Sequence, residues 1–115
     1  MSIDVSTRQV DEVMIVDLSG DLKLGEGSSA LRNTVQDLLG KGEKKILLNL
    51  GKISHIDSSG IGELISAFTS VHNQGGELKL LRLTQKVHDV LQIMKLYTVF
   101  QVMDDEAEAI ASFKS

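Results

Sequence analysis

A chain of 115 residues, 42% hydrophobic and 24% charged, has the composition of one globular domain of ordinary size. Twelve basic against sixteen acidic side chains give a net charge of −4, and no basic stripe is available to neutralise nucleic acid or an anionic membrane. Cysteine is absent, which excludes disulfides, thiolate metal sites and cysteine nucleophiles.

The opening Met1-Ser2-Ile3-Asp4-Val5-Ser6 has no basic segment leading into an apolar one, so no signal peptide is expected. No apolar run approaches the about 20 residues needed to span a bilayer, and a cytoplasmic protein is expected. Residues 3–10 alternate loosely, turn at Asp11-Glu12, and continue as Val13-Met14-Ile15-Val16-Asp17-Leu18, an antiparallel hairpin. Ser19-Gly20 is expected to close the second strand, with a loop over 21–27. A helix begins at Ser28 or Ser29, carries Leu31, Val35, Leu38 and Leu39 on one face, and stops at Gly40-Lys41-Gly42. Lys45-Ile46-Leu47-Leu48-Asn49-Leu50 is nearly continuously apolar, as in a strand buried on both faces.

Next comes His55-Ile56-Asp57-Ser58-Ser59-Gly60-Ile61-Gly62, leading into a helical face of Ile61, Leu64, Ile65, Phe68 and Val71. This helix ends around Asn73-Gln74-Gly75-Gly76. Leu78-Lys79-Leu80-Leu81 is a short strand, and Val87, Val90, Leu91 and Met94 mark a third helix capped by Thr84. Phe100-Gln101-Val102-Met103 reads as a last strand, and 106–113 as a terminal helix with Glu106 near its positive end. The order ββαβαβαβα predicts an α/β fold: one domain over 1–115, with a mixed, mostly parallel sheet, an N-terminal antiparallel hairpin and about four helices.

In such sheets functional loops gather at the carboxyl ends of the strands, where Asp57-Ser58-Ser59-Gly60 lies. Ser58 and Ser59 fall at a helix N-terminus, where free N–H groups and the dipole favour negative charge. From residue type alone, a serine here is a cap, part of an anion site, or an acceptor of phosphate. Gly25-Glu26-Gly27-Ser28-Ser29-Ala30 has the spacing of a dinucleotide fingerprint, but the next strand ends near Asn49 and offers no acid for a ribose. His55, His72 and His88 lack ligand spacing, so no metal or cofactor is expected. His55 and Ser58 lie close enough in sequence to consider a catalytic pair, yet the Gly-x-Ser-x-Gly elbow is missing.

The segments Ile46-Leu47-Leu48-Asn49-Leu50, Ile56-Asp57-Ser58-Ser59-Gly60-Ile61-Gly62, Gly75-Gly76-Glu77-Leu78-Lys79-Leu80 and Asp104-Asp105-Glu106-Ala107 resemble those of anti-sigma-factor antagonists of the STAS-domain family. The likeness runs over nearly the whole chain. It implies a non-enzymatic regulator of transcription whose phosphorylation site is the first serine after the aspartate, Ser58. It also implies partner switching with an anti-sigma factor that is itself an ATP-dependent serine kinase, reset by a serine phosphatase. The expected contact surface is Asp57, Ser59, Gly60 and Gly62, with Asp21 and Lys23 from the earlier loop. Gly60 and Gly62 are expected to keep that surface open, and the free protein to be a monomer. Two positions depart from the family pattern: Lys23 stands where an aspartate is frequent, and Asn49 where the signature strand often has an acid. A STAS scaffold or ligand-sensing module without phosphorylation is the alternative.

Overall fold

The computed structural model describes residues 3–113. Five strands form one sheet in the order β1-β2-β3-β4-β5: β1 (Ile3–Val10), β2 (Val13–Leu22), β3 (Lys45–Ile56), β4 (Glu77–Leu83) and β5 (Val102–Met103). The β1–β2 pair is antiparallel and every later pairing is parallel. Three helices join the strands, α1 (Glu26–Gly40), α2 (Ser58–Asn73) and α3 (Gln85–Ile93), and α4 (Glu106–Ala111) follows β5. The expected fold class is thus present in full.

Alternation along β3 divides its side chains between two cores. Ile46, Leu48 and Leu50 face the cluster built by Leu31 and Val35 of α1, Ile61 and Leu64 of α2, and Val87 and Leu91 of α3. Leu47 faces a second, smaller cluster with Val13, Ile15, Leu81, and Ala109 and Phe113 of the C-terminal segment. The continuous apolar run of β3 is therefore explained by helices on both sides.

Three sequence expectations are corrected. Ser19-Gly20 does not close β2, nor does β3 end near Leu50; the two strands pair on to Leu22 and Ile56. Register shifts between Asp17 and Ser19 and between Gly20 and Asp21 reset which face the side chains point to. The extra residue of each shift lies in β3, so Ile53 joins Leu48 and Leu50 in the main core although the alternation has broken, while Leu22 keeps the alternation of Val16 and Leu18. Secondly, α1 begins at Glu26 behind Gly25 rather than at Ser28 or Ser29, and the Ser28 hydroxyl donates backwards to the Lys23 carbonyl at 2.9 Å. Thirdly, the last elements are shorter. Met94 lies past α3 and is exposed; Phe100 and Phe113 are buried by packing outside any strand or helix. The Thr84 cap is as expected, accepting from the Val87 N–H.

Arg8 ties the sheet to α4. Its guanidinium donates to Asp17 Oδ2 at 2.7 Å, and to Glu106 Oε1 at 2.7 Å and Oε2 at 2.9 Å. Asn49 completes the group, donating to Asp17 Oδ1 at 2.8 Å while its own oxygen accepts from the Gly51 N–H at 3.1 Å. An acid at position 49 would lose that donor and set a second carboxylate against Asp17, so asparagine suits this neighbourhood. At the other end of α4, buried Lys79 donates to the Ser112 carbonyl at 2.8 Å, with its Nζ 4.8 Å from the centre of the Phe113 ring.

Close packing where α2 meets β2 fixes the carboxyl end of the sheet. A Cβ on Gly60 would stand 2.1 Å from the Leu22 carbonyl oxygen, whereas one on Gly62 would meet nothing within 4 Å. Gly60→Ala should therefore destabilise the protein by about 1–3 kcal/mol through overpacking. Gly62→Ala should stabilise it by about 0.5–1 kcal/mol through helix propensity. Urea unfolding of the two variants checks the contrast, and equal midpoints would contradict it.

The Arg8 hydrogen bonds hold the Asp17 and Glu106 carboxyls below the usual carboxylate range. Both groups bind protons less readily folded than unfolded, so their contribution is present above the unfolded values, about 3.9 and 4.3. It is lost as pH falls through the lower folded values. Urea midpoints should drop as pH decreases below about 4, and Arg8→Met should make that decline shallower. An unchanged pH profile in the variant would remove Arg8 as the cause.

Candidate functional site

Strands β2 and β3 end side by side at Leu22 and Ile56, and each chain then turns into a helix. The two turns, residues 23–25 and Asp57, consequently meet. Asp57 caps α2: its Oδ1 accepts from the Gly60 N–H at 2.9 Å. Its Oδ2 accepts from the Leu24 N–H at 3.1 Å, reaching across to the other turn. The backbone adds to this, the Asp57 N–H lying 3.4 Å from the Leu22 carbonyl and the Ile61 N–H 3.0 Å from that of Asp57. The bonds from Gly60 and then Leu24 hold the Asp57 carboxyl below its ordinary range, against the opposing effect of desolvation; Ser59 N–H and the charge of Lys23 add smaller contributions.

Ser58 is the first residue of α2 and is exposed, and its hydroxyl takes part in none of the bonds that fix this loop. Ser59 is half-buried beside it. Gly62, one turn on, is exposed and open. Gly60 differs from expectation: it is buried against Leu22 and supports the loop from beneath, leaving Gly62 as the open glycine. Asp21 and Lys23 come from the end of β2 and the turn after it. Asp21 Oδ1 lies 2.9 Å from His55 Nδ1, and this hydrogen bond lowers the Asp21 carboxyl pKa. No hydrogen bond joins His55 to the Ser58 hydroxyl among the described residues, so the catalytic pair considered from the sequence is not formed. Lys23 is exposed and makes no ion pair among the described residues.

The Gly25–Ala30 stretch is used for packing. Gly27 and Ser28 are buried, and a Cβ on Gly27 would come within 2.4 Å of the Asp21 carbonyl oxygen. Arg32 of α1 then reaches Glu63 of α2 at 3.0 Å, a second tie between the two helices. Among the described residues no three histidine or acidic side chains converge as metal ligands, and no helix is long and apolar enough to cross a membrane.

Two features were not read from the sequence. One is the double use of Asp57, whose second oxygen has a partner 33 residues away. The other is Leu24, 78% exposed beside the site. Its signal was present: an apolar residue between Lys23 and Gly25 belongs to no amphipathic period.

What the geometry offers is a hydroxyl on a rigid helix start, flanked by a carboxylate and a free ammonium group. Comparison with known proteins gives this arrangement a family. A Paenibacillus polymyxa anti-sigma F factor antagonist is 24% identical over 115 residues, covering 99% of this chain and 97% of its own. The anti-sigma-B factor antagonist of Bacillus subtilis is 26% identical over 102 residues, with 89% and 92% covered. Among solved structures, the Bacillus anti-sigma factor antagonist SpoIIAA matches in its unphosphorylated and phosphorylated forms with TM-scores of 0.71 and 0.75. Both are at 22% identity, cover 95% and 96% of this chain, and are themselves covered over 96% and 100%. The family model of the STAS domain matches residues 4–109, and the chain belongs to that family.

Proposed function

We propose that this protein is an anti-sigma-factor antagonist that works by partner switching and is controlled by phosphorylation of Ser58. The observation that carries the reading is the exposed Ser58 hydroxyl on the first turn of α2, in a loop immobilised by Asp57. Relatives of nearly equal length bearing that name support it. In this reading the protein is a substrate rather than a catalyst. A serine needs only exposure and a fixed position, because the kinase supplies ATP, metal and base.

The unmodified protein binds an anti-sigma factor in the cytoplasm and frees the sigma factor for transcription. The anti-sigma factor, an ATP-dependent serine kinase, phosphorylates Ser58 and ends the complex; a serine phosphatase restores it. Neither nucleic acid nor membrane is a partner, no cofactor is required, and the free protein is monomeric. Phosphate adds about −1.5 to −2 charges. Free N–H groups at the start of α2 tolerate that charge, so the fold survives modification. A partner pressed on the loop meets the new charge beside that of Asp57 and must desolvate both. Ser59, Gly62, Asp21 and Lys23 complete the contact surface around Ser58.

Ser58→Ala should fold normally, because the cap belongs to Asp57. It should retain its kinase partner when ATP is added, while the parent is released. Ser58→Asp should weaken binding only in part, since it lacks the second charge of phosphate. Ser59→Ala should still be phosphorylated. Mass mapping of the modified residue, paired with binding measured with and without ATP, provides the check. Phosphate on Ser59, or equal release of Ser58→Ala, would reject the assignment; absence of modification by every anti-sigma kinase of the same cell would favour the scaffold alternative.

A further inference from the structure

We infer that Leu24 is an apolar anchor for the kinase partner, and that Lys23 beside it selects a partner surface whose apolar pocket is edged by a carboxylate. This deepens the proposed function and rests on it. Exposure alone would say little, since isolated exposed apolar side chains are common. Ile93 is equally exposed at 78%, at the far end of α3. What distinguishes Leu24 is how firmly its backbone is held and what holds it.

The turn has three residues, each fixed. The Lys23 carbonyl accepts from both the N–H and the hydroxyl of Ser28, each at 2.9 Å. Leu24 N–H donates to Asp57 Oδ2, and the Gly25 carbonyl accepts from the Ser29 N–H at 3.0 Å. Gly25 has φ +97, a conformation that lets the chain enter α1 directly. A loop so tied gives up little freedom on binding, which is the condition under which an exposed apolar side chain contributes fully to affinity. Leu24 joins neither core cluster.

Position adds the second condition. The carboxylate that holds Leu24 belongs to the residue immediately before Ser58. A kinase that places Ser58 in its active site must therefore cover Leu24 or leave it stranded at the rim. The charge pattern supplies the third. Asp21 is engaged by His55 and Asp57 by two backbone amides, whereas Lys23 has no ion pair among the described residues. Both carboxylates keep their charge but have their hydrogen-bond partners, whereas the exposed Lys23 ammonium makes no ion pair among the described residues, so a complementary partner presents an acid to it.

The test uses the purified anti-sigma kinase retained by the Ser58→Ala protein, with full-length substrates. Leu24→Asp should raise KM for phosphorylation at least tenfold with little change in kcat, and its thermal midpoint should match the parent because only a solvated side chain changes. Leu24→Met should restore near-parental KM. Ile93→Asp should behave as the parent, and Lys23→Glu should raise KM in a salt-dependent way. Parental KM for Leu24→Asp, or equal losses for Leu24→Asp and Ile93→Asp, overturns the anchor. Parental KM for Lys23→Glu overturns the charge selection. A parent that takes no phosphate at Ser58 overturns the switch reading and the anchor with it; normal phosphorylation of both the parent and Leu24→Asp overturns the anchor alone.

Discussion

One carboxylate joins the two turns on which the site is built. Asp57 accepts from Gly60 with one oxygen and from Leu24 with the other, so the start of α2 and the entry to α1 form a single unit. Neither bond is exceptional in length, but together they use both oxygens of a group that would otherwise only cap a helix. Ser58 inherits its position from this arrangement without contributing to it. Under the proposed function that separation matters: the group that would change charge is not the group that holds the loop.

The remainder of the fold serves to bring those two turns together. Parallel pairing of β2 and β3 places their carboxyl ends side by side, and two register shifts, each an extra residue in β3, let the pairing continue to where the turns touch. Gly60 and Gly27 allow the helix starts to sit directly on the end of β2, where any Cβ would collide with a backbone carbonyl. On the opposite face of the sheet, α4 is held by Glu106 to Arg8 at one end and by Ser112 to Lys79 at the other, around Ala109 and Phe113. That face gives β3 its second covering layer and leaves the end of the sheet at Asp57 and Ser58 unobstructed.

Much of this was legible from residue pattern. The hairpin, the doubly buried β3 run, the apolar face of α2 and the Thr84 cap follow from periodicity and capping chemistry, and Asp57 followed by two serines marks a helix start at a strand end. Bulges were not legible: they break alternation without ending a strand, so β3 looked shorter than it is, and β2 looked shorter because Ser19-Gly20 reads as a strand end. Nor could spacing reveal that Ser28 bonds backwards, that Gly60 is buried while Gly62 is open, or that Asp57 reaches Leu24. Each depends on which neighbour the fold brings within hydrogen-bond or van der Waals distance. The Asn49 departure is explained by the same logic, through contact with Asp17.

The most direct measurement of the central claim is an NMR pH titration that follows the amide signals of Leu24 and Gly60 in labelled protein. If one carboxylate holds both, the two signals move together with a single midpoint below the ordinary aspartate value, and neither moves that way in Asp57→Asn. Separate midpoints for the two amides, or a shared one that survives in Asp57→Asn, would contradict the account.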